Sequence, residues 1–360
     1  MPQPSSPDYD VVVEPGALGR LATHVQEAAR GHRYAIIADD VVAQVHGETA
    51  RRALEGAGLR TDLFTFPAGE EHKTRTTWAA LTDAMLESGI GRDGVVIGLG
   101  GGVACDMAGF VAATYMRGVP VVQVPTSLLA MVDASVGGKT GVDTPHGKNL
   151  VGAFHQPRRV VIDPEVLETL PDRELRCGLA EAVKHGAIAD AGYLAWIEEH
   201  ADALLARERD ALTALVSRSV EIKARFVAAD PLEGGARKAL NFGHTVGHAV
   251  EAAGEYTLPH GYAVAIGMVA EAEAGEDSGI TEAGTADALR RVLVRLGLPI
   301  VPPVSQDPDH LLEVMGRDKK ARQARPRFTL LERIGIVARA PDGDWSHPLE
   351  PSRIRRILTP

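Results

Sequence analysis

Three stretches of this 360-residue chain set isolated polar side chains among apolar ones: Gly178-Leu-Ala-Glu181-Ala-Val-Lys184-His-Gly, Asn241-Phe-Gly-His244-Thr-Val-Gly-His248 and Leu258-Pro-His260-Gly. Together Glu181, His244 and His260 offer one carboxylate and two imidazoles, the donor set of a catalytic zinc site that leaves one coordination position open for substrate. His244 and His248 are spaced i,i+4, which puts both rings on one face of a helix, as in the His-Glu-x-x-His of zinc proteases. Here Thr245 follows the first histidine, so the general base of a protease is missing and peptide hydrolysis is set aside. Any one of these histidines, taken alone, reads as an ordinary helix residue. The assembled set points to a metal.

Elements of two kinds must position these donors. Tyr34–Ala38, Leu63–Phe66, Val95–Gly98 and Val121–Val124 are short apolar runs of strand length, and between them lie helical patterns such as Thr76–Glu87, with Trp78, Leu81 and Met85 at helical spacing. This alternation predicts a mostly parallel sheet covered by helices. From Pro171 onward the pattern changes to long amphipathic helices. Asp172 reads as the N-cap of the helix carrying Glu181, and Ala211–Ala229 reads as a second helix burying Leu215, Val220, Ile222 and Phe226. A third helix would contain Gly243 and Gly247, each costing roughly 1 kcal/mol relative to alanine, so close packing or a ligand must need the space. The expected organisation is an α/β Rossmann-like domain over 1–170 and an all-α metal- and substrate-binding domain over 171–360, with the tail from Arg339 weakly patterned and partly mobile.

Length and composition fit this plan: 360 residues suggest about two domains, and 45% hydrophobic with 24% charged residues is a globular balance. A net charge of −10 argues against a nucleic-acid partner. Cys105 and Cys177 are too few and too far apart for a disulfide framework. The segment Met1–Asp10 resembles neither a secretory signal nor a transit peptide, and no apolar run has the length of a bilayer span. A cytoplasmic protein without membrane contact is expected.

Gly98-Leu-Gly100-Gly101-Gly102-Val-Ala-Cys-Asp106 follows a predicted strand and opens a predicted helix. Backbone N–H groups there can approach a pyrophosphate without obstruction. The spacing departs from Gly-x-Gly-x-x-Gly, and a plain strand-to-helix turn stays open as the other reading. The loop follows a later strand than in a standard Rossmann domain. Asp39 at a strand end, Glu70 and Lys73 in Gly69-Glu-Glu-His-Lys73, and Thr126-Ser127 at a helix start could complete a nucleotide site. A carboxylate at a strand end favours NAD over its 2′-phosphorylated form.

Asp133-Ala-Ser-Val-Gly-Gly-Lys139-Thr140 and His146-Gly-Lys148-Asn149 place lysines in Gly-rich turns. Lys184 lies one turn after Glu181, and Arg237 and Asn241 lie on the helical approach to His244. If these cations are not merely solvated, they form a pocket suited to a small substrate carrying both carboxylate and phosphate.

At this point the chain resembles the 3-dehydroquinate synthase family, through Glu70-Glu-His-Lys73, Gly100–Asp106, Asp133–Thr140, Gly147–Asn149, Glu181–Lys184, Arg237–His248, His260-Gly and Asp318-Lys-Lys320. The resemblance implies an NAD-binding α/β domain, a helical metal-binding domain, a cleft between them and a homodimer. It implies that Glu181, His244 and His260 bind zinc or cobalt, and that Asp133 and Asn241 help hold substrate. Lys139, Lys184, Lys223, Arg237 and Lys319 or Lys320 would contact its anionic groups, and Asn149 would belong to the same catalytic set. His248 would handle protons, and Arg117 would reach the phosphate pocket of the neighbouring subunit. The implied NAD contacts are Asp39, Glu70, Lys73, Gly101, Gly102, Asp106, Thr126, Ser127, Lys139, Lys148 and Thr169. Ser127 stands where the family often has a second threonine, and Met131 where glutamine is common. In the family's reaction a seven-carbon keto-acid phosphate is transiently oxidised by NAD, loses phosphate, is reduced again, opens and closes into a carbocycle.

Two rival activities share much of this pattern. A polyol dehydrogenase of the glycerol dehydrogenase type has the same domain plan and metal donors, yet needs no cluster like Lys139, Lys148, Lys184, Lys223 and Arg237. A cyclase acting on sedoheptulose 7-phosphate departs from Asn-Phe-Gly-His-Thr-x-Gly-His, whereas this chain keeps Arg237, Asn241 and His248. The residues do not separate an amino-substrate cyclase. A non-catalytic NAD-binding module fits poorly with intact metal donors.

Overall fold

The computed structural model describes residues 8–255, 257–303, 307–317 and 326–358. They form two compact units, Met1–Leu170 with Leu212–Val220, and Pro171–Ala211 with Glu221–Pro360.

The first unit is built on a six-stranded, wholly parallel sheet of β1 (Asp10–Val13), β2 (Tyr34–Asp39), β3 (Thr61–Phe66), β4 (Val95–Gly100), β5 (Val121–Pro125) and β8 (Arg159–Ile162), in the order β1-β8-β5-β4-β2-β3. Every residue of β4 and β5 is buried, as expected for central strands covered on both faces. From β2 the chain proceeds to β3 on one side. From β4 it proceeds to β5 on the other. The ends of β2 and β4 therefore flank the crevice where chain order reverses, the usual ligand position in open α/β sheets. Met107, Ala108 and Val111 of the helix Gly102–Thr114 pack into the core beside the sheet.

Of the stretches read as Gly-rich turns, Gly137 and Gly138 take positive φ (112° and 64°) as turn glycines do, while Lys139–Thr140 and Gly147–Asn149 belong to strands. β6 (Lys139–Thr144) and β7 (Gly147–Phe154) form an antiparallel ribbon with Lys139 opposite Phe154 and Gly141 opposite Gly152. Glycine is needed there for close approach: a Cβ on Gly152 would run into the Thr140 carbonyl. Gly141 and Gly152 thus serve strand pairing.

The second unit is mainly helical. Asp172–Ala189, His244–Ala253 and His260–Asp277 are its central helices, and Val246, Val250, Ile266, Ala270 and Phe328 contribute to its core. Two short antiparallel pairs, Leu331–Arg333 with Ile336–Val337 and Arg327–Phe328 with His347–Pro348, add a little sheet. The tail is folded: helix Pro351–Leu358 buries Ile354 and Leu358 in the same core. Asp172 is no N-cap. It is the first helical residue after Pro171 and accepts a 2.5 Å hydrogen bond from Arg207. Helix Arg209–Ala229 buries Leu215, Val220 and Ile222, but Phe226 is half-buried and Val227 is buried instead. Among the described residues, no helix is long and apolar enough to cross a membrane. Cys105 and Cys177 are both buried free thiols.

Candidate active site

Glu181 is fully buried on the helix Asp172–Ala189, and one of its oxygens faces two imidazoles. Glu181 Oε1 lies 3.6 Å from His244 Nε2 and 3.4 Å from His260 Nε2. Zinc bonds of 2.0–2.2 Å arranged tetrahedrally put neighbouring donor atoms about 3.3 Å apart. Donor atoms of the three side chains all lie within 4.8 Å of one another. The other ring nitrogens are engaged: His244 Nδ1 is 3.1 Å from the Phe242 carbonyl, and His260 Nδ1 is 3.0 Å from Glu251 Oε2. A carbonyl and a carboxylate can only accept, so each Nδ1 carries a proton, and Nε2 is the ring atom each histidine turns toward Glu181, where a metal would take the place of any proton. An imidazole steered by an oxygen acceptor is the usual support of a metal-binding histidine. The donor set therefore fits a divalent metal.

The electrostatics agree. Burial, reinforced by the Lys184 ammonium, holds His244 well below the usual imidazole range, keeping it in the neutral form that ligates. Burial also pulls His260 down, but hydrogen bonds to Glu181 and Glu251 and their charges outweigh it and raise the group to about 10. Glu181 and Glu251 thus call for a cation between them. Lys184, almost fully buried, pairs with the second oxygen of Glu181.

Local backbone geometry aims the ligands. Gly243 is not inside a helix: it precedes His244 at φ 78°, where a side chain would be strained, and a Cβ there would also press on Met268. A Cβ on Gly247 would meet the Ala263 carbonyl at 3.1 Å, and one on Gly267 would strike the Gly243 carbonyl. These glycines let the His244 and His260 helices cross with their backbones in contact, so the space serves close packing. His248 stacks edge-on to His244 with ring centroids 5.3 Å apart and stands 6.0 Å from His260, which places it beside both imidazoles of the donor set.

Arg237 lies elsewhere than on the helix leading to His244. It belongs to the 3-10 helix Ala236–Asn241, separated from His244 by the turn at Phe242-Gly243. It is buried, with its guanidinium donating to the Pro231 carbonyl at 2.9 Å. The loop before it is organised by Asp230, which accepts from the N–H groups of Gly234, Gly235 and Arg237. Asn241 donates to Glu233 at 3.1 Å. Lys223 is buried on Arg209–Ala229.

In the first unit, the ends of β2 and β4 bring Asp39 to the glycine loop: a Cβ on Gly100, which has φ 154°, would lie 3.4 Å from Asp39 Oδ2. Asp39 also caps the following turn through Val42 N–H, and burial raises its carboxyl above the usual range. Gly101 and Gly102 open the helix Gly102–Thr114, with Ser127 Oγ 3.4 Å from where a Cβ on Gly101 would stand. Thr126 N–H donates to the Gly100 carbonyl, and Ser127 Oγ accepts from Ala130 N–H. Lys73 is buried and binds Asp106 at 2.5 Å and Asn149 Oδ1 at 2.7 Å. Glu70 lies 3.9 Å from Lys73 and 3.8 Å from Lys148. These five predicted residues form one network, in which Lys73 holds its neighbours.

The remaining predicted residues are spread over the same unit. Thr169 Oγ1 lies 3.0 Å from His46 Nε2. Asp133 is half-buried in the short π-helix Ala130–Ala134, and Lys139 is exposed at the start of β6. Arg117 is exposed just after Gly102–Thr114, in a turn where its φ is 69°. Lys319, with Asp318 and Lys320, lies outside the described residues. Glu251 went unread in the sequence, although a signal existed: it follows His248 by three positions and His244 by seven, the same helical face.

Solved structures place this fold. The chain matches 2-deoxy-scyllo-inosose synthase, solved with carbaglucose-6-phosphate, NAD+ and Co2+, at TM-score 0.90 and 24% identity over 97% of this chain and 96% of that one. ValA, a 2-epi-5-epi-valiolone synthase from Streptomyces hygroscopicus solved with NAD+ and Zn2+, matches at TM-score 0.87 and 30% identity over 98% and 96%. The architecture is that of the sugar-phosphate cyclases. Residues 63–177 match the model of the 3-dehydroquinate synthase N-terminal domain and residues 178–321 that of the C-terminal domain. A 3-dehydroquinate synthase of Symbiobacterium thermophilum is 47% identical over 93% of this chain and 94% of its own length. The chain belongs to the 3-dehydroquinate synthase family.

Proposed function

We propose that the protein is a 3-dehydroquinate synthase, a carbon–oxygen lyase that converts 3-deoxy-D-arabino-heptulosonate 7-phosphate to 3-dehydroquinate and phosphate in the shikimate pathway. The observation that carries this reading is the convergence of Glu181, His244 and His260 beside the buried Lys184. A dehydrogenase acting on a simple alcohol has no use for a buried ammonium next to its metal donors, whereas a phosphorylated keto acid does.

The domain over 1–170 would hold NAD, with the N–H groups of Gly101 and Gly102 toward pyrophosphate and Asp39 toward ribose hydroxyls. The domain over 171–360 would hold zinc or cobalt on Glu181, His244 and His260. When bound, NAD supplies a hydride acceptor that is regenerated, and the metal supplies a Lewis acid. The protein's own groups do the rest. Arg237, Lys184, Lys223, Lys139 and one of Lys319 and Lys320 neutralise the carboxylate and phosphate, while Asp133, Asn149 and Asn241 orient hydroxyls. His248, a neighbour of both histidine ligands, passes protons. Arg117 would complete the phosphate pocket of a partner subunit in a homodimer, and the enzyme would work in the cytoplasm.

The test is incubation of purified protein with 3-deoxy-D-arabino-heptulosonate 7-phosphate, a divalent metal and substoichiometric NAD. Phosphate should appear in large excess over any NADH. Stoichiometric NADH without phosphate would support the dehydrogenase reading, and phosphate-releasing turnover of sedoheptulose 7-phosphate instead would move the assignment to the other cyclases.

A further inference from the structure

Glu271 is fully buried on the helix that begins with His260, about three turns further along. Its Oε2 accepts the Gly243 N–H at 2.8 Å, and its Oε1 accepts the N–H groups of Thr245 at 2.9 Å and Val246 at 3.1 Å. These donors are the unsatisfied N–H groups at the start of the His244 helix. Gly243, at the capping position, has no side chain with which to satisfy them. A carboxylate on three N–H donors at the positive end of a helix is a strong, directional link. The same two helices are also joined by the contact of His260 Nδ1 with Glu251 Oε2 at 3.0 Å, and elsewhere the crossing runs along Gly243, Gly247 and Gly267, whose backbones come into contact.

We infer that Glu271 is a positioning residue that fixes the axial register between the helices carrying His244 and His260. A slip of one turn moves a helix about 5.4 Å, more than the 3.4 Å and 3.6 Å that separate the imidazole nitrogens from Glu181 Oε1. The inference rests on the reading of Glu181, His244 and His260 as metal ligands. It adds that the pair of histidines is held in ligating register by a carboxylate bound to the backbone N–H groups that open the His244 helix.

The experiment is a titration of the metal-free protein with cobalt(II) alone, following the visible absorption of the bound ion and the thermal midpoint before metal is added. In Glu271→Gln one amide oxygen can still serve Thr245 and Val246, but the amide NH2 then meets the Gly243 N–H donor to donor. The variant should bind cobalt at least tenfold more weakly and change the absorption envelope. Asp163→Asn is the control, because Asp163, itself buried, likewise accepts backbone N–H groups, from Gly16 and Leu18 in the first unit. It should lower the midpoint and leave cobalt binding unchanged. Wild-type affinity and spectrum in Glu271→Gln, or equal losses of affinity in both variants, would overturn the register role. If Glu271→Gln does not fold, Glu271→Asp, which keeps the charge but falls short by a methylene, is read by the same criteria. Loss of cobalt in His260→Ala tests the ligand reading separately. A wild-type protein that takes up no cobalt would sink that reading and this inference with it, whereas normal binding by Glu271→Gln sinks this inference alone.

Discussion

Cys177 Sγ accepts the backbone N–H of Gly261 at 3.0 Å, joining the helix of Glu181 to the helix of His260 one residue from the imidazole it must place. Burial pushes this thiol up to about 12, so at neutral pH the sulfur keeps its proton and acts as a neutral acceptor. The contact is also a backbone contact. A Cβ on Gly261 would lie 2.7 Å from the Cys177 Cα and collide with its carbonyl.

Gly261→Ala should therefore wedge the two helices apart. Overpacking of this kind costs about 1–3 kcal/mol, and the metal donors would separate with the helices. A lower midpoint of unfolding together with substoichiometric metal is the expected result. A variant with full metal content and an unchanged midpoint would show that the crossing yields at no cost.

Glu251 orients His260 through Nδ1. Loss of such a support typically weakens metal binding 10–100-fold. Glu251→Gln, with its amide oxygen still able to accept, should sit at the mild end, near tenfold by chelator competition, and Glu251→Ala further along. Equal affinity in all three proteins would show that His260 is placed by packing alone.

Arg237 is buried and its guanidinium already donates to one carbonyl, so its geometry is set before substrate arrives. A lysine keeps the charge but cannot reproduce the two-pronged clamp on a carboxylate. Arg237→Lys should keep fold and metal yet lose at least about tenfold in kcat/KM, or roughly 1.4 kcal/mol of transition-state stabilisation. Unchanged kinetics with the carboxylated substrate would remove Arg237 from substrate binding.

Asp230 carries a pH signature. Burial works against its ionisation, but the N–H groups of Gly235, Gly234 and Arg237 and the Arg237 charge prevail and hold the carboxyl below the usual range. A folded-state value below the unfolded one, about 3.9, gives stability that is full above the unfolded value and lost as pH falls through the folded one. Urea unfolding of the wild type and Asp230→Asn should thus show a gap that is constant above about pH 5 and closes below about 3.9. A gap that does not change with pH would mean that the carboxylate charge contributes nothing to the loop.

The sheet and the donor set were legible because each depends on local pattern. Apolar runs at Tyr34 and Val95 can only be strands when they are this short and this buried, and Glu181, His244 and His260 are rare as polar residues in apolar helices. What escaped reading depends on distant partners. Nothing beside Gly243 in the sequence tells that its helix is capped from Glu271, and Arg237 looked continuous with the His244 helix because the turn at Phe242-Gly243 that separates them is two residues long. Gly137 and Gly138, read as turn residues, do take positive φ, whereas the pairing of Gly141 with Gly152 that builds the following ribbon is announced by no local pattern.

The glycine crossing of the His244 and His260 helices has a consequence for anyone altering this protein. Where helices meet through side chains, a bulkier or smaller residue changes their spacing, and the spacing of whatever they carry drifts with it. Here the gauge is main chain against main chain, so substitutions at flanking positions such as Ile266 or Val250 should alter how firmly the helices adhere without rescaling the gap between the imidazoles. Directed variation can therefore retune the durability of the fold while leaving the calibre of the ligand cage untouched.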